Sequence, residues 1–235
     1  CRTKKVYLSR CSPNDCTGDM WKMSKYEFFL WIACILNGFV LGSIMFSQLI
    51  PKRVLHKDIC QISNDHNPGA SNVFTYCGIF WGFLCLSLDI LKGFWPVLLG
   101  VKILNTDHIL FAAVLVAPVL GHAVAPFNHF RGGKCISTAF GALLGVYPLT
   151  KIVFLLAGIY IVFSTVLKIP STRLRSITVF SLFGVFSMIL LLFVNQYSIA
   201  LGCFSISCIA IIKHSKLFAY IPNEEKNTQK INSSL

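Results

Sequence analysis

A chain of 235 residues is long enough for one domain, but 55% hydrophobic and 13% charged residues, with a mean hydropathy of +0.68, exclude an ordinary water-soluble one, where about 25% charged is usual. The net charge of +12 does not point to nucleic acid, because Lys and Arg are spread through short loops between apolar runs and no nucleic-acid-binding motif accompanies them. The ten Cys include no CxxC pair, so neither a disulfide framework nor a zinc site is indicated, and most sit in apolar runs where a free Cys behaves as a small hydrophobe.

In chain order, residues 1–25 form a polar extension without the hydrophobic core of a signal peptide. Met20 and Met23 stand just before the first apolar run, and the native start is expected at one of them. Apolar runs then cover 26–50, 78–104, 108–120, 136–147, 152–167, 176–194 and 197–212, several of them approaching the roughly 20 residues that cross a bilayer. The expectation is an all-α polytopic membrane protein: seven transmembrane helices over 26–212, followed by a polar tail over 213–235. Pro96 is expected to bend the second run, and the small residues Ser137, Ala139, Gly141, Ala142 and Gly145 suit the fourth to close helix packing.

Basic residues fall mainly on alternate loops: Lys52, Arg53 and Lys57; Arg131 and Lys134; Lys168, Arg173 and Arg175; then Lys213 and the tail. Cytoplasmic loops are the ones enriched in Lys and Arg, so the N-terminus is expected outside and the C-terminus in the cytoplasm. That ordering places the loop after the first run and the segment 121–138 on the same, cytoplasmic side, where they can form one site.

Segment 121–138, GHAVAPFNHFRGGKCIST, is polar and Gly-rich between two apolar runs. Non-helical backbone at such a position is tolerated only when protein or a water-filled cavity surrounds it. Gly132 and Gly133 let successive amides converge on an anion, Arg131 and Lys134 add full charges, and a helix starting near Ile136 would aim its positive end at the same place. His122 and His129 have no acidic or Cys partner at ligand spacing, so a hydrogen-bonded structural role is the default and no metal is expected. The loop before Asn72 offers Asp58, Asp65, His66 and Asn67 for hydrogen bonds and the small residues Gly69, Ala70 and Ser71 for close approach. In the second run Asp89 and Lys92 lie three apart on one helix face, and an intramembrane pair of this kind marks a functional or bracing site.

The pattern GHxxxPFxxFRGGKxIST resembles the GHxFPxFxxFKGGKGxAT motif of the bacterial acyl-phosphate:glycerol-3-phosphate acyltransferases, the PlsY family. Leu41-Gly42-Ser43-Ile44 is similar to that family's LGSI, Asn67 to Val73 to its NxGATNV, and Leu88 to Pro96 to its LDxLKGxxP. Ser176-Ile177 and Lys213-His214 match two further elements in the same order. The resemblance implies an integral-membrane enzyme that moves a fatty acyl group from acyl phosphate to the 1-hydroxyl of glycerol 3-phosphate, giving lysophosphatidate at a cytoplasm-facing site of a bacterial cell membrane, without cofactor. It implies catalytic roles for Lys92, Lys134, Ser176 and His214, and substrate binding by Ser43, Asn67, Gly69, Asn72, His122, Arg131, Gly132 and Gly133. The chain departs from the pattern at Cys60 and Thr75, where the family has Arg, at Asp65 for Ser, at Cys135 for Gly and at Leu217 for Asn. Losing two Arg and gaining an Asp weakens a dianion site. The alternatives are therefore a diverged paralogue with another acceptor, and a non-catalytic lipid-phosphate-binding or transport membrane protein, although no internal repeat supports transport.

Overall fold

The computed structural model describes residues 24–215, so the extension expected over 1–25 and the tail expected over 213–235 lie almost wholly outside the described residues. Ten α-helices make up the described fold: α1 (Lys25–Ser43), α2 (Phe46–Val54), α3 (Ile59–Ile62), α4 (Ala70–Cys77), α5 (Ile79–Ile103), α6 (Phe111–Val124), α7 (Ile136–Gly145), α8 (Val153–Ile161), α9 (Thr172–Phe193) and α10 (Tyr197–His214). A 3-10 turn at Pro126–Asn128 follows α6, and a π-helical turn at Val162–Val166 extends α8. No strand occurs among the described residues.

Five apolar helical segments, namely α1, α5, α9, α10 and α6 taken together with its 3-10 turn (Phe111–Asn128), are at least 18 residues long and can cross a membrane by length and composition, whereas Ile136–Gly145 and Val153–Val166 are shorter. The seven apolar runs of the sequence thus map onto five long and two short helical segments. Large apolar side chains such as Phe29, Leu36, Phe83, Phe154 and Phe193 face outward, as lipid-exposed surface requires. The protein core instead gathers Phe111, Leu115, Leu143, Phe180, Phe183 and Ile206 between α6, α7, α9 and α10.

The first apolar run is not one helix to Ile50. Ser24 opens α1 with a capping box, its Oγ accepting from the Glu27 amide at 3.1 Å while the Glu27 carboxylate accepts from the Ser24 amide at 2.9 Å. The helix then stops at Ser43, Ile44 turns extended (φ −74°, ψ 116°), and α2 restarts at Phe46. A break among apolar residues frees carbonyls that lipid cannot satisfy. Here α5 satisfies one: Lys92 Nζ donates to the Ile44 carbonyl at 2.5 Å and sits 2.8 Å from Asp89 Oδ1, an ionic contact, while Asp89 Oδ2 accepts from Ser47 Oγ at 2.7 Å. The Phe46 ring lies 5.8 Å from the same ammonium. The intramembrane pair that the sequence exposes is therefore the clasp of a broken helix.

Close backbone approach fixes the neighbouring helices. A Cβ at Gly42 would collide with the Pro118 backbone of α6, and one at Gly121 with the Phe39 carbonyl of α1. Gly141 packs in the same way on the Ile90 carbonyl, and Gly93 on the Thr138 carbonyl, which joins α5 to α7 as the small-residue run predicts. Pro96 is carried inside α5 without interrupting it.

Two sequence-based boundaries move. Residues Gly121 to Val124 continue α6, so the non-helical stretch is 125–135 rather than 121–135; with Ala117 and Pro118 already packed on α1, Gly121 simply extends that seam. Ser171 caps α9, accepting from the Leu174 amide at 3.4 Å, so Arg173 and Arg175 are helical and not part of a loop.

Removing one member of the clasp leaves a buried charge unpaired, which typically costs about 3–5 kcal/mol. Lys92→Met should accordingly lower the unfolding midpoint in detergent well below that of the double variant Asp89→Asn/Lys92→Met. Equal midpoints for the two variants would show that the Asp89–Lys92 pair does not brace the broken helix.

Candidate active site

At the end of the bundle where α6 and α10 finish and α9 begins, four stretches of chain enclose a cavity of about 530 Å³. Helix α3 supplies Cys60 and its connection to α4 Asp65 and Asn67; the loop between α6 and α7 supplies Arg131, Gly132 and Lys134; α9 and α10 supply Arg173, Lys213 and His214. The two polar segments that the positive-inside ordering put on one side do meet. Lys134 Nζ lies 2.6 Å from Asp65 Oδ2 across their junction.

The sequence-predicted residues divide between this cavity and its supports. Asn67, Arg131, Gly132, Lys134 and His214 line it. Asn72 stands behind the wall: its Nδ2 donates to Asp65 Oδ1 and to the Asn67 carbonyl, both at 2.8 Å, holding that loop in shape. Gly69 begins α4 and leaves room for the Asn67 side chain. His122 is buried beneath Gly133, whose amide donates to the His122 carbonyl at 3.2 Å. That bond engages the Gly133 N–H, and of the two glycines Gly132 is the one in the cavity lining. Both are needed for close approach, since a Cβ at Gly132 would strike the Ala123 carbonyl and one at Gly133 the His122 ring.

Three further expected residues sit deeper. Ser43 is fully buried and its Oγ donates to the Phe39 carbonyl at 2.7 Å. Lys92 belongs to the clasp, and Ser176 pairs its Oγ with the Tyr160 hydroxyl at 2.8 Å. None of the three is in the cavity lining.

Arg173 is a cavity cation that motif reading missed. It lies in KIPSTRLR, which reads as a basic loop, yet Pro170-Ser171 before an apolar run is a helix-start signal that would have placed it one turn ahead of Ser176. Arg131, Lys134, Arg173 and Lys213 then set four cations against Asp65 in the lining. The position of one family Arg is taken by Cys60, whose thiol burial pushes up to about 11, so it adds no charge. Burial would raise the Asp65 carboxyl, but hydrogen bonds from Lys134 and Asn72 and the Lys134 charge outweigh that and hold it below the ordinary carboxylate range.

The loop carries its own strain. Ala125, His129, Phe130 and Cys135 all adopt positive φ, between 45° and 65°, where L-residues cost roughly 1–2 kcal/mol each. Local bonds hold them: Phe130 N–H to the Ala125 carbonyl at 3.1 Å and Asn128 Nδ2 to the Arg131 carbonyl at 2.7 Å. Cys135 stands at a left-handed position where the resembled motif has Gly, and its Sγ is buried against the Val119 carbonyl at 3.6 Å.

A sequence profile of the family described as glycerol-3-phosphate acyltransferase matches residues 32–223. Among similar proteins is a glycerol-3-phosphate acyltransferase of Maridesulfovibrio salexigens, 37% identical over 133 residues, covering 55% of this chain and 67% of the relative. Another is that of Legionella pneumophila strain Corby, 33% identical over 189 residues, covering 80% of this chain and 65% of the relative. The chain thus spans about two thirds of the length of these relatives. The fold is similar to the crystal structure of PlsY, an integral membrane glycerol 3-phosphate acyltransferase, in its glycerol 3-phosphate form, with a TM-score of 0.66, 27% identity, and coverage of 87% of this chain and 93% of that one.

An anion entering the cavity competes with Asp65 for Lys134. Asp65→Asn keeps the side-chain shape and removes the competitor. Inorganic phosphate should then bind roughly tenfold tighter by calorimetry, the lower end of a charge-assisted hydrogen bond because both partners are partly exposed. Unchanged affinity would show that the pair does not oppose anions. Since the Asp65 carboxyl is held low, the pair's stabilising contribution is complete above the ordinary carboxylate range and fades only as pH falls through the lowered value.

Proposed function

Because the chain belongs to the glycerol-3-phosphate acyltransferase family, as its match over residues 32–223 shows, we propose that it transfers a fatty acyl group from acyl phosphate to the 1-hydroxyl of glycerol 3-phosphate, giving lysophosphatidate and phosphate. The observation that carries this reading is the cavity in which Arg131, Lys134, Arg173 and Lys213 converge at the end of an apolar helical bundle. Two phosphorylated substrates need such cations, while the acyl tail needs the apolar surroundings.

The donor is a mixed anhydride and already activated. What the site must supply is placement of the hydroxyl against the carbonyl carbon and stabilisation of the charge that develops on the leaving phosphate. Lys134 and Arg173 reach the cavity from opposite walls and hold the phosphates; Asn67 and Asn72 shape the acceptor side; Ser176, braced by Tyr160, positions groups at the start of α9. Lys92 acts through the broken helix, holding Ile44 and so the segment that leads to Cys60. In a bacterial cell membrane the cavity would face the cytoplasm, by the distribution of basic residues.

A second reading rests on Asp65. By neutralising Lys134 it favours an acceptor with less negative charge than glycerol 3-phosphate, as a diverged paralogue would use. An acceptor screen separates the two: turnover with a neutral alcohol and none with glycerol 3-phosphate supports the paralogue.

Purified protein given palmitoyl phosphate and glycerol 3-phosphate should release inorganic phosphate. Lys134→Ala should lower kcat/KM by at least about a hundredfold, the scale of losing a charge-assisted contact to the transferring group. Equal phosphate release by both proteins contradicts the assignment.

A further inference from the structure

The cavity takes Arg173 from the start of α9 but leaves Arg175 unused. Two residues further along a helix a side chain is turned by about 200°, so the two arginines project to opposite sides of α9. Arg175 is on the side of α8, since its charge acts on the Tyr160 hydroxyl there. It has no ion-pair partner among the described residues, and the chain from Ile136 to Ser215 contains no Asp or Glu to provide one. Lys168, in the connection between α8 and α9, adds a second cation at the same end.

Deeper between the same two helices lies an apolar groove of about 380 Å³ that shares no lining residue with the cavity. Phe154, Gly158, Val162 and Phe163 line it from the α8 side, Leu182 and Phe186 from α9. It opens outward: Phe154, Val162 and Phe186 are exposed, and a Cβ at Gly158 would meet nothing within 4 Å. The π-helical turn at Val162–Val166 lies at its end nearest Lys168, and such turns recur at functional sites. Along α9, Leu182 and Phe186 follow Arg175 on the same face, within about 20° of it and about 10 and 16 Å deeper. Half the hydrocarbon thickness of a bilayer is about 15 Å, so a cation at headgroup level stands over a groove contained in one leaflet.

We propose that this groove holds one acyl chain of an anionic membrane phospholipid, whose headgroup phosphate pairs with Arg175 and is attracted by Lys168. The site is separate from the catalytic cavity and does not depend on the acyl-transfer reading. Charge selects the occupant: an anionic lipid supplies the partner that Arg175 lacks, whereas a zwitterionic lipid brings a cation of its own. An apolar slot headed by a cation fits an amphiphile, and a soluble anion would satisfy only half of it. A second copy of the chain docked here by two-fold symmetry would bring the same cations together with no acidic residue between them. Surrounding lipid is as apolar as the groove, so the chain gains packing rather than escape from water. The groove therefore retains the lipid and Arg175 chooses its headgroup.

The full chain in detergent, titrated with palmitoyl-oleoyl phosphatidylglycerol or phosphatidylcholine and read by native mass spectrometry, tests this. Wild type should retain one phosphatidylglycerol about fivefold more tightly than phosphatidylcholine, the scale of one basic residue acting on an anionic lipid. Arg175→Gln should bind the two lipids equally. Gly158→Leu, which fills the groove without a clash, should bind both about fivefold more weakly through lost packing. An unchanged unfolding midpoint shows that each variant is folded, and Lys134→Ala, in the cavity, should bind phosphatidylglycerol as wild type does. Equal affinity of wild type for the two lipids, or wild-type binding by either groove variant, overturns the site. So does loss of phosphatidylglycerol in Lys134→Ala alone, which moves the lipid to the cavity, or a dimer that Gly158→Leu dissociates, which makes the groove a contact between copies. No turnover enters the measurement, so failure of the acyl-transfer reading leaves every one of these outcomes unaffected.

Discussion

One buried ammonium holds the architecture of the active end together. Lys92 reaches across from α5 to the carbonyl that α1 releases where it breaks, and Asp89 beside it accepts from Ser47 on the restarted helix. Without that clasp the break would leave a polar group in an apolar layer, where each such group costs several kcal/mol. With it, α2 leaves the bundle on a new course. Its Gln48 then links to the next segment, donating to Asp58 at 2.6 Å and accepting from the Cys60 amide at 3.2 Å. His66 bonds to the Cys60 carbonyl in turn, so a continuous set of polar contacts leads from the buried pair to the cavity wall.

The cavity itself is a study in balanced charge. Its opposite wall is a loop whose left-handed residues are held by local hydrogen bonds and whose glycines let it lie on the end of α6. This places Lys134 and Arg131 against the α3–α4 connection, while α9 and α10 bring Arg173 and Lys213 from the far side. Relative to the resembled motif, charge lost at Cys60 and Thr75 is offset from helices whose contribution depends on tertiary position. Asp65 acts in the other sense, holding Lys134 in an ion pair that a phosphate must open.

Much of this was legible in the sequence because motifs encode local chemistry. The spacing of Asp89 and Lys92 predicted their pairing, and alternation of basic loops predicted that the two polar segments share one side. The break at Ile44 was not legible: LGSIMFSQLI reads as the continuation of an apolar run with only scattered Ser and Gln, and the interruption is set by Lys92 from α5 and by the contact of Gly42 with Pro118, neither of which is local. The packing role of Gly132 and Gly133 was hidden for the same reason, since a Gly-Gly pair serves anion binding or close packing equally well until its neighbours are known. Arg173 was hidden by position, its helix starting earlier than the apolar run that marks it.

On the reading proposed above, a phosphate monoester binds between the α6–α7 loop and the first turn of α9, displacing Asp65 from Lys134. A structure of the full chain in a lipid environment with glycerol 3-phosphate tests it directly. The phosphate group should lie within hydrogen-bonding distance of Lys134 and Arg173, with the Lys134–Asp65 contact opened beyond the 2.6 Å seen without ligand. A phosphate bound outside this cavity, or bound with that ion pair intact, would contradict it.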